Sequence, residues 1–480
     1  MLRKVRKSIV RSPQSVVKAI PLCVLSAVLL ALPFNNGKLW IFAWVGFVPV
    51  FFSLNNKSLK QAFFLFYITG IIFWSGTIYW LVHVTLAGTI VLILYLALYF
   101  AIFGLIIRPC TKHSTPFALV FIPSVWVLLE YIRSRLFTGF PWALLGYSQY
   151  LNLPAIQIAD ITGVLGVSFL VMMINVAVVE IIWSGIRGLR PRLITVVVLP
   201  ILLLFLTLSY GYFRLFQRSA LGARHPVRIS VIQGNIPQNI KWEAYSRDYI
   251  VDTYLRLTRE ASKDKPDLVI WPEAALPVIA EEQQPYYEKV KDLAKEINIP
   301  LLLGAVTCRQ DRYYNSALLI SREGRTLAAY DKVHLVPFGE YIPLRGILGF
   351  LQTIVPIGEA TAGKEYTVFD TPARFSVLIC FEDLFPELSR RCIKAGARFL
   401  VNITNDAWYK KTPAAYQHLA ASVFRAVENR VFLIRAANTG ISAFINPEGK
   451  IISSVKDNRG TEIFVTGHAT QAIFADKGGG

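Results

Sequence analysis

Charge is scarce in this chain: 17% of its 480 residues are charged, against roughly a quarter in soluble globular proteins. Between Gln61 and Ile107 there is no Lys, Arg, Asp or Glu at all. A wholly soluble fold is thereby excluded, because such a run offers no water-facing side. Cysteine is sparse too. Cys23, Cys110, Cys308, Cys380 and Cys392 are scattered, odd in number and form no CxxC pair. That excludes a disulfide framework and the paired spacing of zinc sites. Cys23 and Cys110 lie in or beside apolar runs and receive no role. There is no internal repeat and no low-complexity linker.

What the chain has instead is an apolar first half. Seven windows approach the length needed to cross a bilayer: Ala19–Phe34, Leu39–Leu54, Gln61–Leu81, Gly88–Ile107, Thr115–Leu129, Ile161–Val179 and Leu193–Phe213. The first, with Arg3, Lys4, Arg6 and Lys7 before it, could be a signal peptide. It lacks a clean cleavage site and further spans follow, so we read it as an uncleaved helix. The net charge of +19 invites a nucleic-acid partner. Its placement points to membrane topology instead. One set of loops holds thirteen basic residues: Arg3, Lys4, Arg6, Lys7, Arg11, Lys18, Lys57, Lys60, Arg108, Lys112, Arg187, Arg190 and Arg192. The alternate set holds three: Lys38, Arg133 and Arg135. The positive-inside rule puts the N-terminus in the cytoplasm, and an odd number of spans then puts the soluble half outside. The connector Glu130–Asp160 carries Phe137, Phe140, Trp142, Tyr147 and Tyr150. These read either as an aromatic belt at the headgroups or as a lateral entrance for lipid.

The second half alternates strands and helices. Val227–Ile236, Asp267–Trp271, Leu301–Val306, Val377–Cys380 and Phe399–Thr404 read as strands. Tyr314–Ser321 and Thr326–Lys332 form a hairpin. Helices are expected over Tyr245–Ser262, Glu282–Ile297, Pro386–Ala395 and Pro413–Arg430, with late strands at Val431–Ala436 and Ile441–Asn446. The pattern predicts an α/β domain with a mixed sheet. The division expected is residues 1–220 in the membrane, 221–472 as the α/β domain and 473–480 as a tail.

Three strand ends carry reactive groups: Glu273 after Asp-Leu-Val-Ile-Trp-Pro, Lys332 in Tyr-Asp-Lys-Val-His, and Cys380 after Ser-Val-Leu-Ile. Parallel strands place their C-terminal ends along one sheet edge, where α/β proteins build sites, and the three groups are expected there. Glu273 suits a general base, Lys332 a cation that favours thiolate and oxyanion, and Cys380 a nucleophile. The backbone N–H of Phe381 is a natural second oxyanion donor. Each residue alone is ordinary: a core cysteine, a solvated carboxylate, a hairpin lysine. His334 and His418 are isolated and read as structural.

These motifs resemble the Glu–Lys–Cys motifs of the nitrilase (carbon–nitrogen hydrolase) superfamily. With the apolar half, Gln233-Gly-Asn-Ile-Pro-Gln238, Leu335-Val-Pro-Phe-Gly-Glu-Tyr-Ile-Pro343 and Arg435-Ala-Ala-Asn-Thr-Gly-Ile-Ser442, they resemble the apolipoprotein N-acyltransferase family over nearly the whole chain. The resemblance implies an α-β-β-α sandwich on a helical membrane domain, in a bacterial inner membrane with the catalytic domain in the periplasm. It implies acyl transfer from a phospholipid such as phosphatidylethanolamine, through a Cys380 thioester, to the free α-amine of a lipoprotein's lipidated N-terminal cysteine. It implies no metal or other cofactor. Glu340 and Glu382 match further family glutamates near the site. Trp242 and Asn315 match a loop and a pocket position, and Phe381 stands where tyrosine is frequent. The family usually has a further span after the catalytic domain, whereas Asp476–Gly480 is a short polar tail. The alternative is a membrane-tethered amidase, in which water resolves the acyl-enzyme.

Overall fold

Among the described residues, each of the seven apolar windows lies mainly on helical backbone. The computed structural model describes residues 16–110, 117–187, 190–217, 226–341 and 360–474. Arg3, Lys4, Arg6, Lys7, Arg11, Lys112, Pro343 and the tail Asp476–Gly480 lie outside the described residues. The chain divides into two compact units, Met1–Ala220 with Thr412–Ala420, and Leu221–Lys411 with Ala421–Gly480.

Among the described residues of the first unit, four helices are long and apolar enough to cross a membrane: Leu59–Thr77, Leu86–Ile107, Ala159–Trp183 and Val196–Gln217. The other windows fold as Ile20–Asn35, a 3₁₀ turn Gly37–Trp44 leading into Val48–Ser53, and Ala118–Arg133. Gly70 sets the spacing of one helix pair, since a Cβ there would stand 2.9 Å from Ala97 Cα. Arg108 Nε donates to Lys57 O at 2.6 Å, so two loops counted as the same side do meet. Arg133, counted as a loop charge, ends its helix and is buried, donating to Phe140 O and Trp142 O at 2.8 Å each. Its guanidinium is therefore held by main-chain carbonyls rather than lying free in a loop.

The aromatic connector is divided in its exposure. Phe137 is 76% exposed, but Trp142, Tyr147 and Tyr150 are buried. Trp142 Nε1 donates to Gln417 Oε1 at 2.6 Å, as does Trp80 Nε1 at 3.2 Å. Gln417 Nε2 donates in turn to Phe34 O and Thr77 O. A buried indole needs an acceptor, and this amide supplies one to two of them.

In the second unit, continuous apolar runs become buried strands. The strands are β1 (Pro226–Gln233), β2 (Leu268–Ile270), β3 (Leu301–Arg309), β4 (Arg312–Ile320), β5 (Thr326–Asp331), β6 (Phe369–Asp370), β7 (Arg374–Ile379), β8 (Phe399–Thr404), β9 (Phe432–Ala437), β10 (Ala443–Ile445), β11 (Ile451–Ser454) and β12 (Gly467–Phe474). They form two six-stranded sheets rather than one, ordered β12-β1-β2-β3-β4-β5 and β11-β10-β9-β8-β7-β6. Side-chain alternation explains the layering. Leu268 and Ile270 point into the core between the sheets with Val377, Ile379, Val401 and Ile434. Val269 and Trp271 point outward beneath the helices Arg247–Ser262 and Gln284–Ile297. Helices on the outside and two sheets between make the α-β-β-α sandwich.

Candidate active site

Glu273 leaves β2 through Pro272, and Ala274 behind it has φ 45°. The turn lies hard against β3. A Cβ on Gly304 would stand 2.4 Å from Pro272 O and 2.6 Å from Glu273 Cα, so only glycine fits. Lys332 leaves β5, which runs parallel to β2 two strands beyond β3, and its N–H donates to Asn315 O of β4. Cys380 leaves β7 in the other sheet. The three strand ends therefore do not share one sheet edge, as expected from sequence; they converge from two sheets.

The convergence is close. Lys332 is 1% exposed, with Nζ 3.0 Å from Glu340 Oε1 and 3.5 Å from Glu273 Oε1. Asn315 Nδ2 donates to the same two oxygens, at 3.0 and 2.8 Å. Burial works against the Lys332 ammonium, but Glu340 and Glu273 outweigh it and hold its pKa above the ordinary lysine value. Burial likewise opposes the Glu340 carboxylate, yet Lys332 and the Val336 N–H leave its pKa below the usual range. The Lys332 ammonium also stands 5.4 Å from the centre of the Phe381 ring.

Cys380 is half-buried and has φ 55°, a left-handed conformation unusual outside glycine. Such strain persists where surroundings over-determine it, most often at functional sites. Here Asn402 Nδ2 donates to Cys380 O at 2.8 Å and to Leu378 O at 3.1 Å. Burial pushes the thiol well above the ordinary cysteine value, Glu273 adds to the push, and Lys332 opposes it.

Glu382 does not face the thiol. It is fully buried and joins the exits of β5 and β7. Its carboxylate accepts from Val333 N (2.8 Å), His334 N (2.9 Å), Ile379 N (2.7 Å) and the Tyr330 hydroxyl. One side chain thus sets the Lys332 loop beside Cys380. Burial lifts its pKa to about 7 against these donors. A raised pKa means that the protonated acid favours the folded state. That stabilisation is full below the ordinary value of about 4.3 and is lost as pH rises through 7. The melting temperature in detergent should therefore fall more steeply between about pH 5 and 7.5 in the wild type than in Glu382→Gln. Parallel pH profiles would refute the linkage. The variant should also be less stable throughout by about 1–3 kcal/mol, since its NH₂ opposes backbone donors.

Trp242 is 45% exposed and makes no hydrogen bond or ring contact with these groups among the described residues. His334 packs on Phe385, with ring centres 4.0 Å apart, and His418 on Trp142, as structural histidines do. Two features escaped the sequence reading. Lys241 is buried, with Nζ 3.2 Å from Glu273 O. A fully buried network around Arg435 backs the cysteine turn. Arg435 Nη1 donates to Asn402 Oδ1 (2.7 Å), Ser422 Oγ (3.1 Å) and Asp383 Oδ2 (3.3 Å), and Nη2 to Asp406 Oδ2 (3.0 Å). An asparagine inside the apolar run Phe399–Thr404 was the legible sign of it.

Residues 26–177 match the apolipoprotein N-acyltransferase N-terminal domain, and residues 228–467 match the carbon–nitrogen hydrolase family. An apolipoprotein N-acyltransferase of Geobacter metallireducens is 42% identical over 90% of this chain and 85% of its own length. The chain belongs to the apolipoprotein N-acyltransferase family. Another member, from Pasteurella multocida, is 30% identical over 90% of this chain and 86% of its own. Among solved structures, an amidase from Nesterenkonia sp. is similar at 20% identity and a TM-score of 0.41, covering 53% of this chain and 93% of that one. The first match covers apolar helices of the first unit, and the second covers the two-sheet unit that carries Glu273, Lys332 and Cys380.

Proposed function

We propose that this chain acylates lipoproteins, taking an acyl chain from a phospholipid onto Cys380 and passing it to the free α-amine of a lipidated N-terminal cysteine. The observation that carries the reading is the hydrogen-bonded cluster of Glu273, Lys332, Glu340 and Asn315, two of whose charges act on a strained cysteine, in a chain of this family. A thiol whose pKa is raised stays protonated near neutrality and needs a base at the moment of attack. Glu273 takes its proton as sulfur attacks the ester carbonyl. The Lys332 ammonium, fixed by two carboxylates, faces the oxyanion, with the Phe381 N–H as second donor. Collapse breaks the ester bond, and the glycerol oxygen leaves with the proton from Glu273 as lysophospholipid. The acceptor amine then attacks the thioester, giving its proton to Glu273. The C–S bond breaks and Cys380 recovers that proton as thiol. Glu340 and Asn315 hold Lys332 and Glu273 in place. Trp242, on an exposed turn, is a residue for substrate approach.

A site for two membrane-anchored substrates belongs at a bilayer, and the apolar helices of the first unit supply that anchorage. We read seven spans, with the basic loops cytoplasmic and the catalytic domain in the periplasm of a bacterial inner membrane. The Arg108–Lys57 hydrogen bond supports placing those two loops on one side. A hydrolase that releases the acyl group to water would need no amine acceptor. The test is mass spectrometry of the full chain in detergent mixed with phosphatidylethanolamine. The Cys380 peptide should gain one acyl mass as lysophospholipid appears. A diacylated peptide with a free amine should then remove it as an amide, while an N-acetylated peptide should not. If neither adduct nor lysophospholipid forms, the transferase reading fails; if water clears the adduct as fast as the amine, the hydrolase reading replaces it.

A further inference from the structure

Two motifs singled out in the sequence, Gln233–Gln238 and Arg435–Ser442, have no part in the chemistry above. The structure gives them a shared task. Asn438 O accepts from Asn235 N at 2.9 Å. The Asn438 amide clasps Ile236, accepting from its N–H and donating to its carbonyl, each at 2.8 Å. Asn438 Nδ2 donates also to Asn405 Oδ1, and Asn405 Nδ2 donates to Gln238 Oε1. Further on, Ser246 Oγ donates to Ile240 O and Glu243 O. The turn between β1 and the next helix is therefore held at both ends. What it turns inward is Lys241, 3% exposed.

Lys241 differs from Lys332 in one respect. Lys332 is gripped by two carboxylates; Lys241 donates to a main-chain carbonyl, that of Glu273, and makes no ion pair among the described residues. A buried cation outside any direct ion pair is costly, and such groups concentrate at functional sites. The charges nearby give a reason for it. Glu273 and Glu340 are two anions, and Lys332 is one cation. The cluster is net negative beside a thiol that must lose a proton, unless Lys241 is counted.

We propose that Lys241 is a second lysine of the active site, holding the Glu273 strand end through its carbonyl and balancing the charge around Cys380 so that the sulfur becomes nucleophilic at lower cost. It is a positioning residue, acting through Glu273 and Cys380. The inference rests on Cys380 as nucleophile, not on the acyl donor or acceptor. Burial lowers the Lys241 pKa to about 8, while Glu273 after β2 and Cys380 after β7, the groups that act on it, pull it back up. Lys332 stays charged throughout. The two lysines therefore separate by pH.

The test is the alkylation rate of Cys380 by iodoacetamide in the full chain, read on its peptide by mass spectrometry, with Cys308 as internal reference. At about pH 7, Lys241→Met should slow Cys380 roughly tenfold and Lys241→Arg by no more than about threefold. Towards about pH 9 the gap between wild type and Lys241→Met should close, because the wild-type lysine has lost its charge. Lys241→Arg, which cannot lose its charge, should there outrun the wild type. A Lys241→Met profile identical to wild type, or lower by one factor at every pH, overturns the proposal, the latter indicating support of the turn alone. If Lys241→Met does not fold, Lys241→Arg decides: faster than wild type above pH 8 supports, an identical profile overturns. No lipid is present in this assay. Failure to form an acyl adduct would thus sink the transferase reading and leave this result standing.

Discussion

Lys332→Met should slow acylation of Cys380 by roughly three to four orders of magnitude. Two losses combine. The cation facing the oxyanion disappears, and removing one such donor costs about 10²–10³. The second loss falls on the base. With Lys332 present, Glu273 and Glu340 share one ammonium at 3.5 and 3.0 Å and one amide from Asn315. Without it, two carboxylates remain joined through a single neutral donor. Like charges so placed cannot both stay ionised near neutrality, so the pair retains a proton. A base that shares a proton deprotonates the thiol poorly. The residual activity of Lys332→Met should consequently rise with pH as that proton leaves, whereas Glu273→Gln should show no such recovery. Lys332→Arg should not rescue. The site is 1% exposed, and a planar guanidinium does not fit where a compact ammonium meets two carboxylates and the Phe381 ring. Quenched-flow measurement of the Cys380 adduct checks both points; a loss under tenfold in Lys332→Met would remove Lys332 from the chemistry.

Two of the strand ends that carry this cluster, those of Glu273 and Cys380, were readable because each follows a short, continuous apolar run, and such runs are buried strands; that of Lys332 was readable as a hairpin arm. Asp-Leu-Val-Ile-Trp and Ser-Val-Leu-Ile are of this kind. The two-sheet division was not readable from the same signal. β12, Gly467–Phe474, mixes His, Thr and Gln with apolar residues and pairs antiparallel with β1 across more than half the α/β domain. No local pattern encodes a partner at that separation. Its register, Ile229 opposite Gln471 and Val231 opposite Ala469, is fixed by tertiary packing. Lys241 was invisible for another reason. A lysine on a polar turn beside an exposed tryptophan looks solvated, and only the Asn438 and Asn405 contacts from the far sheet reveal that it points inward. A family motif marked Asn438 without saying what it holds, and Asn405 lay in no motif.

Arg435→Met should destabilise the second unit by about 3–5 kcal/mol, more than any surface change. The arginine is fully buried and serves Asp383, Asp406, Asn402 and Ser422 at once. Ser422 Oγ also donates to Asp383, within the same network. A methionine of similar volume leaves two buried aspartates without their cation, which is the expensive way to break such a network. Replacing the whole set by apolar groups would cost less, so the penalty measures stranded charge rather than the strength of any single pair. Arg435→Met combined with Asp406→Asn and Asp383→Asn should accordingly regain part of the lost stability. Activity should not return with it. Asn402 would still lack the donor that orients its amide, and that amide holds Cys380 O while φ at Cys380 stays at 55°. A triple variant that recovers melting temperature but not Cys380 alkylation separates the two tasks of Arg435. One in which both recover together would make the network purely structural and leave the strained cysteine to be explained by its own turn.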